Sequence, residues 1–333
     1  MGFMNPLNLK FNDSENGVAP EGEKKRSGWM PLVRNLLAVI IILVVFGYIF
    51  HILSTNWNEL GIALKRANGY WLALHVACVL SYFALLPVVW ALVIRTGTPN
   101  VPFRASIISG YLPSMGKYVP GKVWTVASRA MLLKKYGNVP TAQAATATFL
   151  QYIFELAGAA PFVLIYAYLG IVPFVSIDKI APFIIPAIIV AVFPGFAWRL
   201  LAAISERLRL KINLKITAPT FTPGVYSSFI FQWVTYGLAG VALCKGFSNF
   251  DMLTAIGICC AFIASWLIGF ISLLTPGGIG VREGAMVLML TPLIGDSTAV
   301  LVSLMARITW TIGDGCGILT GLAYAMGQKN RKE

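Results

Sequence analysis

Long apolar runs alternate with short polar connections along most of this chain. Residues 36–53, 70–94, 141–169, 180–198, 226–245, 252–274 and 298–326 are all predominantly apolar. Each comes close to or exceeds the roughly 20 residues that a helix needs to cross the hydrocarbon core of a bilayer. The alternation of about ten residues per strand expected of an outer-membrane barrel is absent. The pattern predicts an all-α polytopic integral membrane protein with about seven or eight transmembrane helices. Residues 1–30 read as a flexible polar tail, residues 31–328 as the membrane domain, and residues 329–333 as a basic end.

Two stretches break the pattern. Residues 274–285 read LTPGGIGVREGA, with one proline, four glycines and the adjacent pair Arg282–Glu283 between two apolar runs. Glycine costs a helix about 1 kcal/mol relative to alanine, and proline removes a backbone donor. Charge at membrane depth costs about 2.5–3.5 kcal/mol per group on insertion scales. Irregular backbone survives there only when protein or a water-filled cavity covers it. The second stretch, residues 95–135, carries Arg95, Arg104, Lys117, Lys122, Arg129, Lys134 and Lys135 and no acidic residue. Its two apolar pieces, 105–115 and 123–133, are too short to span singly and flank a Pro/Gly/Lys turn from Pro113 to Lys122. This predicts a re-entrant hairpin, with an amphipathic surface hairpin on anionic lipid as the alternative. Re-entrant or broken helices are therefore expected around Pro113–Lys122 and around Pro276–Gly284. Both stretches place Pro-Gly-(Lys/Gly)-(Val/Ile) beside basic residues, a hint of an internal repeat like the paired broken helices of transporters.

Composition sharpens the class. Hydrophobic residues make up 57% and charged residues 12%, about half the charged share of a soluble domain. The net charge of +13 sits largely in the connections, where orientation and anionic lipid account for it better than nucleic acid does. Lys24, Lys25, Arg26 and Arg34 precede the first run and place the N-terminus in the cytoplasm of a bacterial or archaeal cell. The C-terminal side turns on residues 285–294, for which a broken crossing is the preferred reading. A re-entrant piece at 285–294 puts the basic end outside, whereas a broken crossing puts it inside. Five cysteines, all in apolar runs, and two distant histidines suggest neither a disulfide framework nor a metal site. No cofactor is expected.

The remaining candidates are polar residues inside apolar runs. Gln151 and Glu155 stand at i, i+4 on one helical face. Glu155 either pairs with a neighbouring Arg or Gln or serves a head group or a proton. Arg307 and Asp314 are two turns apart on one face. Arg307 is expected to meet Glu155 or Glu283, and Asp314 to meet Arg282 or Lys122. Gly313, Gly317 and Gly321 form a small-xxx-small row for close helix packing. A half-helix starting near Glu283 would present open N–H groups suited to a phosphate oxygen, or Glu283 would cap that helix itself.

Two segments carry a resemblance. YVPGKVWTVASRA (Tyr118 to Ala130) and TPGGIGVREGA (Thr275 to Ala285) resemble the signatures of the flippase-like family of the lysylphosphatidylglycerol synthetase transmembrane domain. The resemblance spans about residues 33–326, and the chain is similar to short members without the synthetase domain. It implies handling of lipid-linked molecules, such as aminoacylated phospholipid or polyprenyl-linked sugar, and no aminoacyl transfer. The leading expectation is a lipid flippase or transporter, with Lys117, Lys122, Arg129 and Arg282 attracting phosphate. Glu155, Glu283 and Asp314 would meet a cationic head group, bind a coupling proton or balance the arginines, Arg307 belongs to the same head-group set, and Gly277, Gly278 and Gly280 would open the backbone. A non-catalytic membrane partner of a lipid synthase or glycosyltransferase is the alternative. A membrane transferase relying on Asp178 or Asp251 is a weaker one, because neither residue has a paired acid or histidine. Homo-oligomerisation is compatible with all three.

Overall fold

In a computed structural model of the chain, the described residues are 67–114, 123–169, 223–272 and 278–329, with positions 62 and 65. The predicted crossings at 36–53 and 180–198, and both tails apart from Lys329, lie outside them. Among the described residues eight helices are present and no strand. In chain order they are α1 (Gly69–Gly97), α2 (Phe103–Tyr111), α3 (Val123–Gly137), α4 (Thr141–Tyr168), α5 (Pro223–Lys245), α6 (Met252–Ile271), α7 (Val281–Ile294) and α8 (Asp296–Lys329). Helices α1, α4, α5 and α6 are long and apolar enough to cross a membrane. Their outward residues are apolar (Leu80, Phe149, Phe231 and Leu253 are exposed), while Gln151, Thr148, Gln232 and Ser265 are buried. This distribution suits hydrocarbon as the solvent, because polar groups find partners only inside.

Helix α1 begins at Asn68, whose side-chain oxygen accepts from the Tyr70 N–H at 3.0 Å. The Asn68 N–H donates to the Gly246 carbonyl at 2.8 Å, so α1 begins where α5 ends. The two helices are antiparallel and pack along their length at the centre of the bundle. One end of the bundle is thus marked by Asn68, Lys245 and Asp251, and the other by Arg95, Arg104, Lys134 and Lys135. We refer to these ends as the Asn68 face and the Arg95 face.

From the Arg95 face, α2 runs inward and α3 runs back. Gly137, at the end of α3, lies against Ala105 and Val101 at the start of α2. The inner end of α2 reaches the middle of α1: Tyr111 Oη donates to the Phe83 carbonyl at 2.7 Å, and Gly110 packs on Pro87. The arms are those of a re-entrant hairpin, as the sequence predicts. Its tip, including Lys117 and Lys122, lies outside the described residues.

From the Asn68 face, α6 runs inward behind an Asp251 cap on the Thr254 N–H at 3.0 Å. Helix α7 turns back along it. Its far end lies beside the end of α4, where Tyr166 Oη donates to the Met289 carbonyl at 2.9 Å. The break between them therefore joins two antiparallel arms. This resolves the sequence's conflict over the C-terminus. Residues 252–274 supply one arm of a hairpin entered from the Asn68 face, which leaves α8 to run parallel to α1 toward the Arg95 face. Along α8, Thr309 meets His75, Gly313 meets Phe83, and Gly317 meets Tyr111, in that order of depth. The hairpin replaces the preferred broken crossing at 285–294, and α8 still ends toward the Arg95 face.

The architecture repeats. Helices α1–α4 and α5–α8 have the same order: a central helix, a hairpin, then a long helix. They run in opposite directions. Every substantial helix–helix contact in one half has its counterpart in the other, α2 on α8 answering α6 on α4, with α1 on α5 at the axis. Gly158 of α4 receives Trp233 of α5, as Gly313 of α8 receives Phe83 of α1. This is the inverted-repeat arrangement in which binding sites lie at the interface of the halves.

Candidate functional site

The two hairpins bring two arginines into the interior, one from each returning arm. Arg129 of α3 is only 7% exposed. Its Nη1 donates to Gln151 Oε1 at 2.5 Å, and its guanidinium stands 4.5 Å from the centre of the Trp90 ring. Gln151 in turn donates Nε2–H to Glu155 Oε1 at 2.9 Å, realising the i, i+4 relation in their sequence spacing. Trp90 is held by an Nε1–H bond to Ser109 Oγ at 2.9 Å. The Glu155 carbonyl accepts from Trp233 Nε1 at 3.0 Å, possible because Gly158 leaves room for the indole. Among the described residues, the Nε of Arg129 is buried without a hydrogen-bond partner. A buried guanidinium with an unused donor is costly, and an incoming anion would satisfy it.

Arg282 sits in the first turn of α7. Its Nη2 donates to Tyr236 Oη at 2.6 Å, and its guanidinium lies 5.6 Å from the Tyr236 ring centre and 5.9 Å from that of Trp310. Tyr82, Tyr236 and Trp310 pack around it, with Tyr82–Trp310 centroids at 4.7 Å and Tyr236–Trp310 at 4.7 Å. Aromatic faces stabilise a desolvated guanidinium by roughly 0.5–2 kcal/mol. Asp314 lies within electrostatic reach of Arg282. Tyr82 is in turn within reach of Glu155, Arg282 and Asp314, so the two centres belong to one polar interior.

Glu283 has a defined structural position. Its Oε2 accepts the Gly280 N–H at 2.5 Å, capping α7, and its Oε1 pairs with Arg307 Nη1 at 3.2 Å. Of the two partners open to Arg307 in the sequence, Glu283 is the one it meets. The helix starts at Val281, two residues ahead of the expected start near Glu283, because Gly280 takes a positive φ of 85° and turns the chain there. Gly278 has φ 69°, and a Cβ on it would come within 2.7 Å of the Gly269 carbonyl oxygen. Only glycine permits that approach of the two arms.

Thus Arg129 and Glu155 form one centre, and Gly278, Gly280, Arg282, Glu283, Arg307 and Asp314 gather at the other. Gly277, like Lys117 and Lys122, lies outside the described residues. Sequence reasoning missed the aromatic partners Trp90, Tyr82, Tyr236 and Trp310, which look like core or interfacial residues in an apolar run. It also passed over His75, buried between the Ala239 carbonyl (Nδ1, 2.8 Å) and Thr309 Oγ1 (Nε2, 3.0 Å). Among the described residues no group of His, Cys, Asp or Glu is placed to hold a metal ion.

Residues 35–313 match the family described as the lysylphosphatidylglycerol synthase TM region, a span containing both hairpins and both Arg129 and Arg282. The chain belongs to that family. No curated protein and no solved structure matches it. Membership, together with the four helices long and apolar enough to cross, establishes a multi-pass membrane protein.

Proposed function

We propose that this protein moves a lipid with an anionic, phosphate-bearing head group between the leaflets of the cell membrane, the Arg95 face being cytoplasmic. Aminoacylated phospholipid and polyprenyl-phosphate lipids are the substrate classes in view. One observation carries the reading. Two hairpins entering from opposite faces each deliver an arginine, Arg129 buried and Arg282 partly buried, to a shared polar interior, while the outer surface is apolar. A head group passing between leaflets needs such a lined path, because a desolvated charge in hydrocarbon costs several kcal/mol. Acyl chains would remain in lipid alongside. Glu155 and Asp314 would balance the arginines or meet a cationic substituent, and Arg307 and Glu283 would hold the start of α7 in place. The reading invokes no cofactor and no bond-making step.

The test is reconstitution in liposomes with fluorescent anionic, aminoacylated and polyprenyl-phosphate lipids. Transfer clearly faster than in protein-free vesicles is expected for at least one class, and Arg282→Ala and Glu155→Ala should slow it more than Lys65→Ala. Rates equal to empty vesicles for every class would exclude the reading. A stable complex with a lipid synthase or glycosyltransferase would then favour a partner role.

A further inference from the structure

The inverted repeat makes Arg129 and Arg282 counterparts. Each lies on the returning arm of its hairpin, α3 or α7. Each guanidinium rests on an aromatic ring from the central helix of its own half, Trp90 of α1 or Tyr236 of α5. Each donates to an uncharged oxygen, Gln151 Oε1 or Tyr236 Oη. They do not share a level. Trp90 marks the first and Tyr82, beside Tyr236, marks the second. Eight residues of α1 separate these rings, roughly 12 Å along the helix at 1.5 Å per residue. At that spacing two phosphate groups do not compete for the same volume. The Nε of Arg129 is the independent sign of a ligand, as a buried donor left without a partner among the described residues.

We infer that the interior contains two separate anion stations, one built by each repeat: Arg129 with Gln151 and Trp90, and Arg282 with Tyr236 and Trp310. Each takes one phosphate ester. The Arg129 station lies nearer the Arg95 face and the Arg282 station deeper, so a head group would pass from one to the other as the halves rearrange. The inference rests on the lipid reading above and adds a stoichiometry and an order of occupancy.

Native mass spectrometry of the purified full chain with a short-chain phosphatidate tests it, at high ionic strength so that the exposed Arg104, Lys134 and Lys135 are screened. A parallel titration uses inorganic phosphate. Two equivalents of phosphatidate are expected on the wild-type chain, one on Arg129→Gln, one on Arg282→Gln and none on the double variant. Arg129→Lys should keep two. Gln151→Glu should drop to one with the arginine still present, because an internal carboxylate then neutralises it; this variant serves if Arg129→Gln does not fold. One equivalent on the wild type, removed only by Arg282→Gln, would overturn the two-station inference and leave the lipid reading standing. Two equivalents of inorganic phosphate with no phosphatidate bound would keep the stations and overturn the lipid reading. No binding of either would overturn both.

Discussion

The hairpins α2–α3 and α6–α7 both turn back inside the bundle, but their arms differ: 9 and 15 residues in the first, 20 and 14 in the second. The second is closed by its own backbone. Gly278 lies against the Gly269 carbonyl, and Glu283 caps the returning helix while holding Arg307 of α8. The described arms of the first are held by neighbours. Tyr111 bonds to α1, Trp90 of α1 bonds to Ser109, and Arg129 bonds to Gln151 of α4. The difference teaches that two structurally equivalent hairpins divide the work. One carries its geometry in glycines and a cap, and the other borrows it from surrounding helices through polar bonds.

The comparison can be broken at several points. The largest effect is expected from Gly278→Val. It forces a β-branched residue into positive φ and into the Gly269 carbonyl, and strain and overpacking together cost about 2–5 kcal/mol. Thermal unfolding in detergent should show an early loss of the folded state. A wild-type melting curve would mean that the second hairpin is not closed by its backbone. Next comes Glu283→Gln, which keeps an amide oxygen for the Gly280 N–H but leaves Arg307 partly buried without its carboxylate. About 1–3 kcal/mol is expected, given that the Arg307 side chain is 21% exposed. A double-mutant cycle with Arg307→Gln should recover part of that loss, and strict additivity would show that the pair is uncoupled.

Smaller effects should separate the arginine centres. Trp90→Leu removes the ring beneath Arg129 and the bond to Ser109, at about 1–2 kcal/mol, and should leave the Arg282 station untouched. Equal loss at both stations would argue against two independent centres. The smallest effect is expected from Lys65→Ala, an exposed position whose change should fall within about 0.5 kcal/mol and leave transport rates unaltered.

Much of the fold was legible in the residues because the bilayer imposes strong rules. Runs of apolar residues had to become helices, and those at 70–94, 141–169 and 226–245 did so with ends within three residues of expectation. The shortness of 105–115 and 123–133 forced a hairpin, since neither spans alone. Gln151 and Glu155 announced their contact by spacing. Other relations left no local mark. Residues 252–274 look like a complete crossing by length and hydropathy, and only packing against α5 and α7 makes them a hairpin arm. Trp90 and Tyr236 carry no sign that a guanidinium will rest on them, because an aromatic residue in an apolar run has many reasons to be there.

On its own, then, the amino-acid order determined the class of fold, the places where the helices break, the family, and the short list of charges that must turn inward. Those follow from local costs: an unbonded peptide group in hydrocarbon, a glycine or proline in a helix, a charge without water. Only the tertiary structure decided which charge meets which partner, that the two hairpins enter from opposite faces, and that Arg129 and Arg282 are equivalents at different depths. Such relations depend on contacts between residues up to 234 positions apart, as between His75 and Thr309. No local energy term encodes them, and they exist only once the two halves have packed around α1 and α5.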